Sequence, residues 1–157
     1  DKCVDKIYKK KNKRLLIKKK LRLKNTKNIK KKIKLLLLNK KILISNLEKI
    51  IHPEVKKERK KFIKKNKNKK TLFFEIPLLF ESKISKEFDK VFFIHAKRHI
   101  RLRRFVTRGG QKKFFSILDR RQTSPRVKIR KSDEIIYNNK SLNHLKNNVF
   151  GVLKKYE

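Results

Sequence analysis

The sequence predicts an α/β fold built on a parallel sheet. Three short runs rich in Phe, Ile and Val are typical of strands that are buried on both faces: 71–76, 91–95 and 135–137. Apolar residues at helical spacing lie between the second and third runs, over 97–107 and 111–122, and follow the third run over 141–155. Strands that alternate with helices are the units from which parallel sheets are built.

The first seventy residues predict helices. Residues 2–24 alternate apolar pairs with runs of Lys and lean towards helix. Over 28–38, apolar residues fall at i, i+4, i+7 and i+8, which is one helical face: Ile29, Ile33, Leu36 and Leu37. The same spacing recurs over 41–51. Because a residue before proline is biased away from helix, we expect His52–Pro53 to end this helix and to begin the next one.

Composition excludes several classes of protein. The single cysteine among 157 residues, Cys3, excludes a disulfide framework and a zinc site with several cysteines, and it suits a reducing cytoplasm. Four histidines without cysteine companions disfavour a structural metal. No run of 18 apolar residues occurs, so we expect no membrane span. The chain has no Met and begins at Asp1 without an apolar signal segment, so we expect a fragment or a processed product.

The positive charge has two interpretations. The chain has 51 Lys+Arg against 13 Asp+Glu, a net charge of +38, and residues 1–70 hold 30 of the basic residues and 5 of the acids. Clustered Lys is typical of a surface that binds a polyanion such as nucleic acid. Abundant Lys, Asn, Ile and Phe with a single Ala, Ala96, is also the profile of an AT-rich coding sequence.

Candidate site residues follow the predicted strands, since ligands of open α/β sheets bind beyond the carboxyl ends of the strands. These segments are Pro77–Glu81, His95–Lys97 and Asn138–Asn139. Arg is concentrated over 98–108 in a chain that otherwise prefers Lys, and Arg is suited to bidentate phosphate contacts. Arg104 and Arg108 stand at i, i+4 and share a helical face, where we expect them to clamp one polyphosphate.

Several motifs, in order and at the right spacing, resemble one family. LEKIIHPEV at 47–55 and EIPLLFE at 75–81 are the most specific, and FDKV at 88–91 opens the next strand. Further similar positions are Arg104 and Arg108, then Gln122, Lys128, Asp133 and Asn138, and more loosely the segment 1–8. The sequence resembles the dephospho-coenzyme A kinases over 41–157. It departs from their pattern at Lys56 and Arg101, which replace Arg and Gln, and at Gly109, which replaces an acid or amide.

The resemblance implies a three-layer P-loop kinase-like fold with a parallel sheet and a helical lid over about 104–128. Residues 1–157 would form one truncated domain, with a mostly helical, basic, substrate-side region at 9–70 and a strand and helix core at 71–157. The phosphate-binding pattern GxxxxGK(S/T) does not occur in the sequence. In this family that loop and its strand precede the segment that Asp1 begins, so we expect both to be missing from this chain.

The resemblance also implies an activity, which is phosphorylation of the 3′-hydroxyl of dephospho-CoA with ATP as donor and Mg²⁺ as cofactor. Asp1 would orient or deprotonate the hydroxyl. Residues on the substrate side would be His52, Lys56, Pro77 and Glu81, and residues on the ATP side would be Arg104, Arg108, Gln122, Lys128 and Asn138. No residue is implied as a metal ligand. For His52 and Glu81 the residues alone leave a second role open, that of a helix cap.

Two functional classes therefore remain open, together with a third alternative, a decayed gene product without activity. One is a cytoplasmic kinase that acts on dephospho-CoA and ATP, is not bound to a membrane, and is inactive as this chain alone. The other is a basic module on a degenerate kinase scaffold that binds nucleic acid through its Lys-rich surface, with an affinity that falls steeply with salt.

Overall fold

The computed structural model describes residues 2–25, 27–29, 32–33 and 42–156. The chain divides into two compact units, Asp1–Phe74 and Glu75–Glu157. The first unit is helical and the second contains the sheet, and each is described by itself. Within the described ranges, no helix is long and apolar enough to cross a bilayer.

In the described residues of the first unit, three helices pack around an aliphatic core. Helix α1 spans Lys2–Lys9, α2 spans Lys11–Lys20 and α3 spans Ile42–Lys65. Two fully buried side chains, Ile7 of α1 and Ile17 of α2, form the centre of this core. The remaining buried members are Leu21, Ile29, Ile33, Leu47, Ile50 and Ile51. The predicted helical character of 2–24 is confirmed, whereas most of the helix predicted over 28–38 lies outside the described residues.

Pro53 does not end a helix, and the predicted boundary at His52–Pro53 is wrong. Helix α3 continues through both residues, so His52 caps no helix. Proline removes the N–H that would bond the carbonyl of Lys49. Pro53 and Lys49 are both exposed, so water can hydrate that carbonyl. Ile51 before the proline and Val55 after it pack on the same core, and this contact favours one continuous helix over two.

The second unit is built on two parallel strands in register. Strand β1 spans Phe92–His95 and β2 spans Glu134–Tyr137, with Phe92 opposite Glu134 and His95 opposite Tyr137. Both strands were predicted, and the α/β class with a parallel sheet is confirmed. Four helices of this unit lie in the described residues: α4 at Arg98–Thr107, α5 at Lys112–Asp119, α6 at Pro125–Arg130 and α7 at Leu142–Leu153.

Three of these helices, α4, α5 and α7, agree with the sequence predictions, and α6 was missed. Helix α6 has six residues, too few to show an apolar period. Its start is nevertheless encoded, because the Ser124 hydroxyl accepts a hydrogen bond from the Val127 N–H and Pro125 occupies the first turn. Helix α7 begins in the same way, with the Ser141 hydroxyl accepting from the His144 N–H.

The strand predicted over 71–76 is wrong, since these residues form an irregular segment. A β-strand is stable only when another strand satisfies its N–H and C=O groups. In the described part of the chain, β1 and β2 pair with each other and neither pairs with 71–76. Phe73 is accordingly 65% exposed. The apolar run has strand propensity, but no described strand lies beside it.

Replacement of Pro53 by alanine tests the continuous helix. The Pro53→Ala variant restores the N–H donor in mid-helix, so we expect the free energy of unfolding to rise by about 1 to 2 kcal/mol. Urea denaturation followed by far-UV circular dichroism measures this change. The control Lys57→Ala, one turn away on the same exposed side, should change stability by less than about 0.5 kcal/mol. A destabilised Pro53→Ala variant would support two separate helices.

Candidate functional site

The carboxyl ends of β1 and β2 bring two predicted site segments together. The strands end side by side at His95 and Tyr137. The Asn138 N–H donates to the His95 carbonyl oxygen at 2.8 Å, and the Asn139 Oδ1 accepts from the Lys97 N–H at 2.8 Å. The two loops beyond the sheet are thus joined to each other. This edge is the usual ligand-binding edge of an α/β sheet.

Aromatic rings line one face of the sheet up to that edge. The ring centroids of Phe93 and His95 are 5.7 Å apart, and those of His95 and Tyr137 are 5.6 Å apart in an edge-on arrangement. Tyr137 is 49% exposed although it ends a strand. Its ring therefore offers an accessible planar surface directly before Asn138.

Arg104 holds one of the two loops in place. Its Nη1 donates to the Asn138 carbonyl oxygen at 3.0 Å and its Nη2 donates to the Lys140 carbonyl oxygen at 3.2 Å. Two predicted site residues, Arg104 and Asn138, are therefore in contact. The guanidinium fork is occupied by backbone oxygens, so in this structure Arg104 positions the loop after β2.

Arg108 stands one turn after Arg104, at the end of α4, and is exposed. Among the described residues its side chain has neither a hydrogen-bond nor an ion-pair partner. The chain then turns at Gly109, whose φ of 79° favours glycine. The next residue, Gly110, packs so closely against the Phe105 ring that an added Cβ would overlap it. This turn fixes where α4 ends, and it leaves the Arg108 guanidinium available for an anion.

A buried ion pair connects three distant segments of the second unit. The Lys128 Nζ lies 3.1 Å from the Glu81 Oε1, and the two side chains are 7% and 16% exposed. The same ammonium group donates to the Gln122 Oε1 at 3.2 Å and lies 5.8 Å from the centre of the Phe93 ring. The Glu81 Oε1 also accepts from the Thr123 N–H. Three predicted site residues, Glu81, Gln122 and Lys128, thus form one cluster.

The Glu81 carboxylate is ionised and incompletely satisfied. Burial raises the pKa of Glu81, but hydrogen bonds from the Thr123 N–H and from Lys128 outweigh burial, and the net pKa lies below the usual value of 4.5. The second oxygen, Oε2, is buried and has no hydrogen-bond partner in the described structure. Glu81 caps none of the described helices. Because it is also largely buried and bonded to Lys128 and Thr123, it is not a simple surface acid.

A second acid organises the helices of the predicted lid. Asp119, at the end of α5, accepts from the Arg98 Nε at 2.8 Å and from the Arg101 Nη1 at 2.6 Å. Both guanidinium groups also lie over the Phe115 ring, at 5.5 Å and 5.7 Å from its centre. Burial raises the pKa of Asp119, but the two arginines outweigh burial and the net pKa is below 3.8. This contact holds α4 against α5.

The remaining predicted site residues are exposed or lie outside the described residues. His52 and Lys56 are exposed on α3 of the first unit, and Pro77 is exposed in the second unit. Asp1, predicted as the catalytic acid or base, lies outside the described residues. Sequence reasoning missed Asp119 and Thr123. Asp119 carried a usable signal, because an acid is rare in this chain, whereas Thr123 contributes only its backbone N–H.

The described residues contain no group of three or more His, Cys, Asp or Glu side chains that could hold a metal ion. Four acids of the second unit are instead paired with cations or with backbone N–H groups: Glu81, Asp119, Asp133 and Glu134. One example is Asp133, whose Oδ2 accepts from the Val91 N–H at 2.8 Å.

Comparison with known proteins identifies a family. The family model CoaE, described as dephospho-CoA kinase, matches residues 13–144. Curated proteins named dephospho-CoA kinase are similar: 34% identity over 111 residues in Bartonella quintana, 36% over 111 in Bartonella henselae and 31% over 113 in Bacillus cereus. These alignments cover 69% to 70% of this chain. The chain spans only 56% to 57% of the length of these relatives.

A solved structure shows the same fold. The crystal structure of TT1252 from Thermus thermophilus superposes with a TM-score of 0.62 at 24% sequence identity. The superposition covers 82% of this chain and 67% of the other.

Loss of the buried cation should destabilise the second unit. In Lys128→Met the Glu81 carboxylate stays buried without its counter-charge, so we expect the free energy of unfolding to fall by about 2 to 4 kcal/mol. The control Lys90→Met removes an ion pair with Asp133 in which the lysine side chain is 52% exposed. The free energy of unfolding of this control should fall by only about 0 to 1 kcal/mol. If urea denaturation shows that both variants lose the same free energy of unfolding, Lys128 does not stabilise the second unit more than an exposed lysine does.

Acid should destabilise the second unit through Asp119 and Glu81. Both folded-state pKa values lie below the ordinary values of 3.8 and 4.5, so the unfolded chain binds more protons as the pH falls. The stabilisation is complete above those ordinary values and is lost as the pH falls through the lowered pKa values. Asp119→Asn lacks one of the two contributions, so its stability should fall less steeply in acid. Urea denaturation between about pH 7 and pH 3 measures both slopes, and identical slopes would refute this role of Asp119.

Proposed function

The chain belongs to the dephospho-CoA kinase family, and we propose that it is part of an enzyme that phosphorylates the 3′-hydroxyl of dephospho-CoA with ATP. The observation that carries the proposal is the family match, which extends over residues 13–144 and so includes parts of both units. The product of this reaction is coenzyme A. We propose a cytoplasmic location, which the single cysteine, Cys3, suits.

The reaction moves one phosphoryl group between two oxygens. The ribose 3′-oxygen forms a bond to the γ-phosphorus of ATP, the bond from that phosphorus to the β,γ-bridging oxygen breaks, and ADP leaves. The hydroxyl proton must pass to a base, and the resemblance assigns this role to Asp1. Catalysis of such a transfer consists mainly of positioning and of charge neutralisation. For this reason we assign a role to each residue from the positions of the cationic side chains and of the loops.

Arg108 is the best candidate in the described chain for contact with the ATP phosphates. It is exposed, without a partner among the described residues, and placed at the end of α4 by the glycine turn. Arg104 would act through the loop after β2, because its guanidinium binds the Asn138 and Lys140 carbonyls. Asn138 and the exposed Tyr137 ring would then lie beside the adenine base.

On the substrate side we propose that His52, Lys56 and the segment Pro77–Glu81 contact dephospho-CoA. The imidazole and ammonium groups of the first two are exposed and suited to a charged, phosphate-bearing ligand. Within the segment, the contacts of Glu81 favour a positioning role, since it is bound to Lys128 and Thr123. Gln122 and Lys128 would support the segment from the end of the lid.

The phosphate loop and the central strand would come from a segment outside residues 1–157. The GxxxxGK(S/T) pattern does not occur in this sequence. The edge of β1 that faces away from β2 has no partner among the described residues, and the apolar run 71–76 is also unpaired there. We therefore propose that this chain alone has no kinase activity.

Mg²⁺ is implied by the family resemblance, but the described side chains form no cluster that fits it. We assign no residue of this chain to the metal and no step of the reaction to it.

The test uses the complete reading frame that contains this chain. ATP-dependent conversion of dephospho-CoA to coenzyme A, followed by liquid chromatography and mass spectrometry, should occur with the complete protein. Arg108→Ala should lower kcat by about 10²-fold, because one preorganised cation at the transferring phosphate is lost. The control Arg103→Ala, an exposed arginine elsewhere on α4, should leave kcat within about twofold. A folded complete protein without turnover would overturn the proposal.

A further inference from the structure

Helix α3 has five lysines on one exposed face. Lys56, Lys57, Lys60, Lys61 and Lys64 line a shallow groove of about 420 Å³ together with Pro53. Their spacing repeats every three to four residues, so they lie on successive turns of one helical face. We call these five residues the lysine face.

Two acids of α3, Glu54 and Glu58, pair mainly with cations outside the lysine face. Glu54 accepts from Lys13 at 2.9 Å and from Lys10 at 3.5 Å, and Glu58 lies 3.3 Å from Lys10. Both acids are thus directed to cations of α2 and of the turn before it. Within the lysine face, Lys61 approaches Glu58 only to 4.0 Å. Lys57, Lys60 and Lys64 have no ion-pair partner among the described residues.

This separation of charge distinguishes the lysine face from a uniformly basic surface. Like charges at i, i+4 repel each other and oppose the helix. A bound polyanion removes that repulsion and releases its own counterions, which is the main source of affinity for nucleic acids. The face therefore has a physical reason to bind a rigid row of negative charges.

We propose that the lysine face binds the phosphate backbone of duplex nucleic acid without sequence preference. The stretch 56–64 spans about 12 Å of helix axis, and a duplex carries about one phosphate charge per 1.7 Å of its own axis. In the described structure the groove is lined by lysines and one proline, a set without the aromatic rings on which single-stranded bases stack. Lysine binds phosphate as a point charge, and contacts to phosphate position a protein on the duplex without reading its sequence.

The experiment measures the binding of the full chain to a fluorescein-labelled 20-base-pair duplex by anisotropy, over a range of salt concentrations. The test variant has four substitutions, Lys57→Gln, Lys60→Gln, Lys61→Gln and Lys64→Gln. Lys56 is left unchanged because it is a candidate for substrate binding. The control also removes four positive charges, but from exposed sites of the second unit: Lys86→Gln, Lys112→Gln, Lys113→Gln and Lys146→Gln. The milder pair Lys57→Gln and Lys60→Gln is measured as well, with circular dichroism on every variant.

The lysine-face variant should weaken binding at least tenfold, and the slope of log K against log salt should become shallower by about 3 to 4. The milder pair should give about half that change in slope, and the control less than a threefold loss of affinity. Equal losses in the test and control variants would overturn the proposal, since charge alone would then explain binding. Tighter binding to a single strand, or to phosphatidylserine vesicles at the same salt concentration, would also overturn it.

Discussion

The ion pair between Glu81 and Lys128 is the constraint on which the second unit depends. It joins the loop that follows the irregular segment 71–76 to helix α6, and it does so against the Phe93 ring of β1. Burial of two charges is costly unless their remaining polar groups are also bonded. Gln122 bonds the Lys128 ammonium and the Thr123 N–H bonds the Glu81 Oε1, whereas the Glu81 Oε2 has no partner in the described structure. Residues that the family resemblance assigns to substrate and to ATP are thereby held in one cluster.

The same principle applies throughout a chain with 51 basic and 13 acidic residues. Each described acid with a resolved ion pair connects elements that are distant in sequence or fixes a helix end. Asp119 ties α4 to α5 through two arginines, and Glu54 ties α3 to cations near the start of α2. Because basic residues are abundant, the loss of one at the surface leaves many others in place. The acids are few, so they determine which basic side chains are held in ion pairs. Within the lysine face, Lys57, Lys60 and Lys64 have no acid as a partner among the described residues, and Lys61 approaches Glu58 only to 4.0 Å.

Sequence patterns predicted the elements whose signals are local. The apolar runs gave β1 and β2, and helical spacing predicted α4, α5 and α7. The errors have non-local causes: Pro53 lies within a helix because residues on both sides pack on one core, and 71–76 has no described strand to pair with. Motif resemblance brought Glu81, Gln122 and Lys128 onto one list of candidates. Their mutual contact depends on how three segments fold together, which spacing alone does not contain.

A double-mutant cycle between Glu81 and Lys128 tests the central claim most directly. The free energy of unfolding is measured for the parent chain, Glu81→Leu, Lys128→Met and the double variant. If the pair is the constraint described here, the double variant is more stable than the sum of the single losses predicts, with a coupling of about 1 to 3 kcal/mol. Additive losses, with a coupling below about 0.5 kcal/mol, would show that the two residues act independently and would contradict the account.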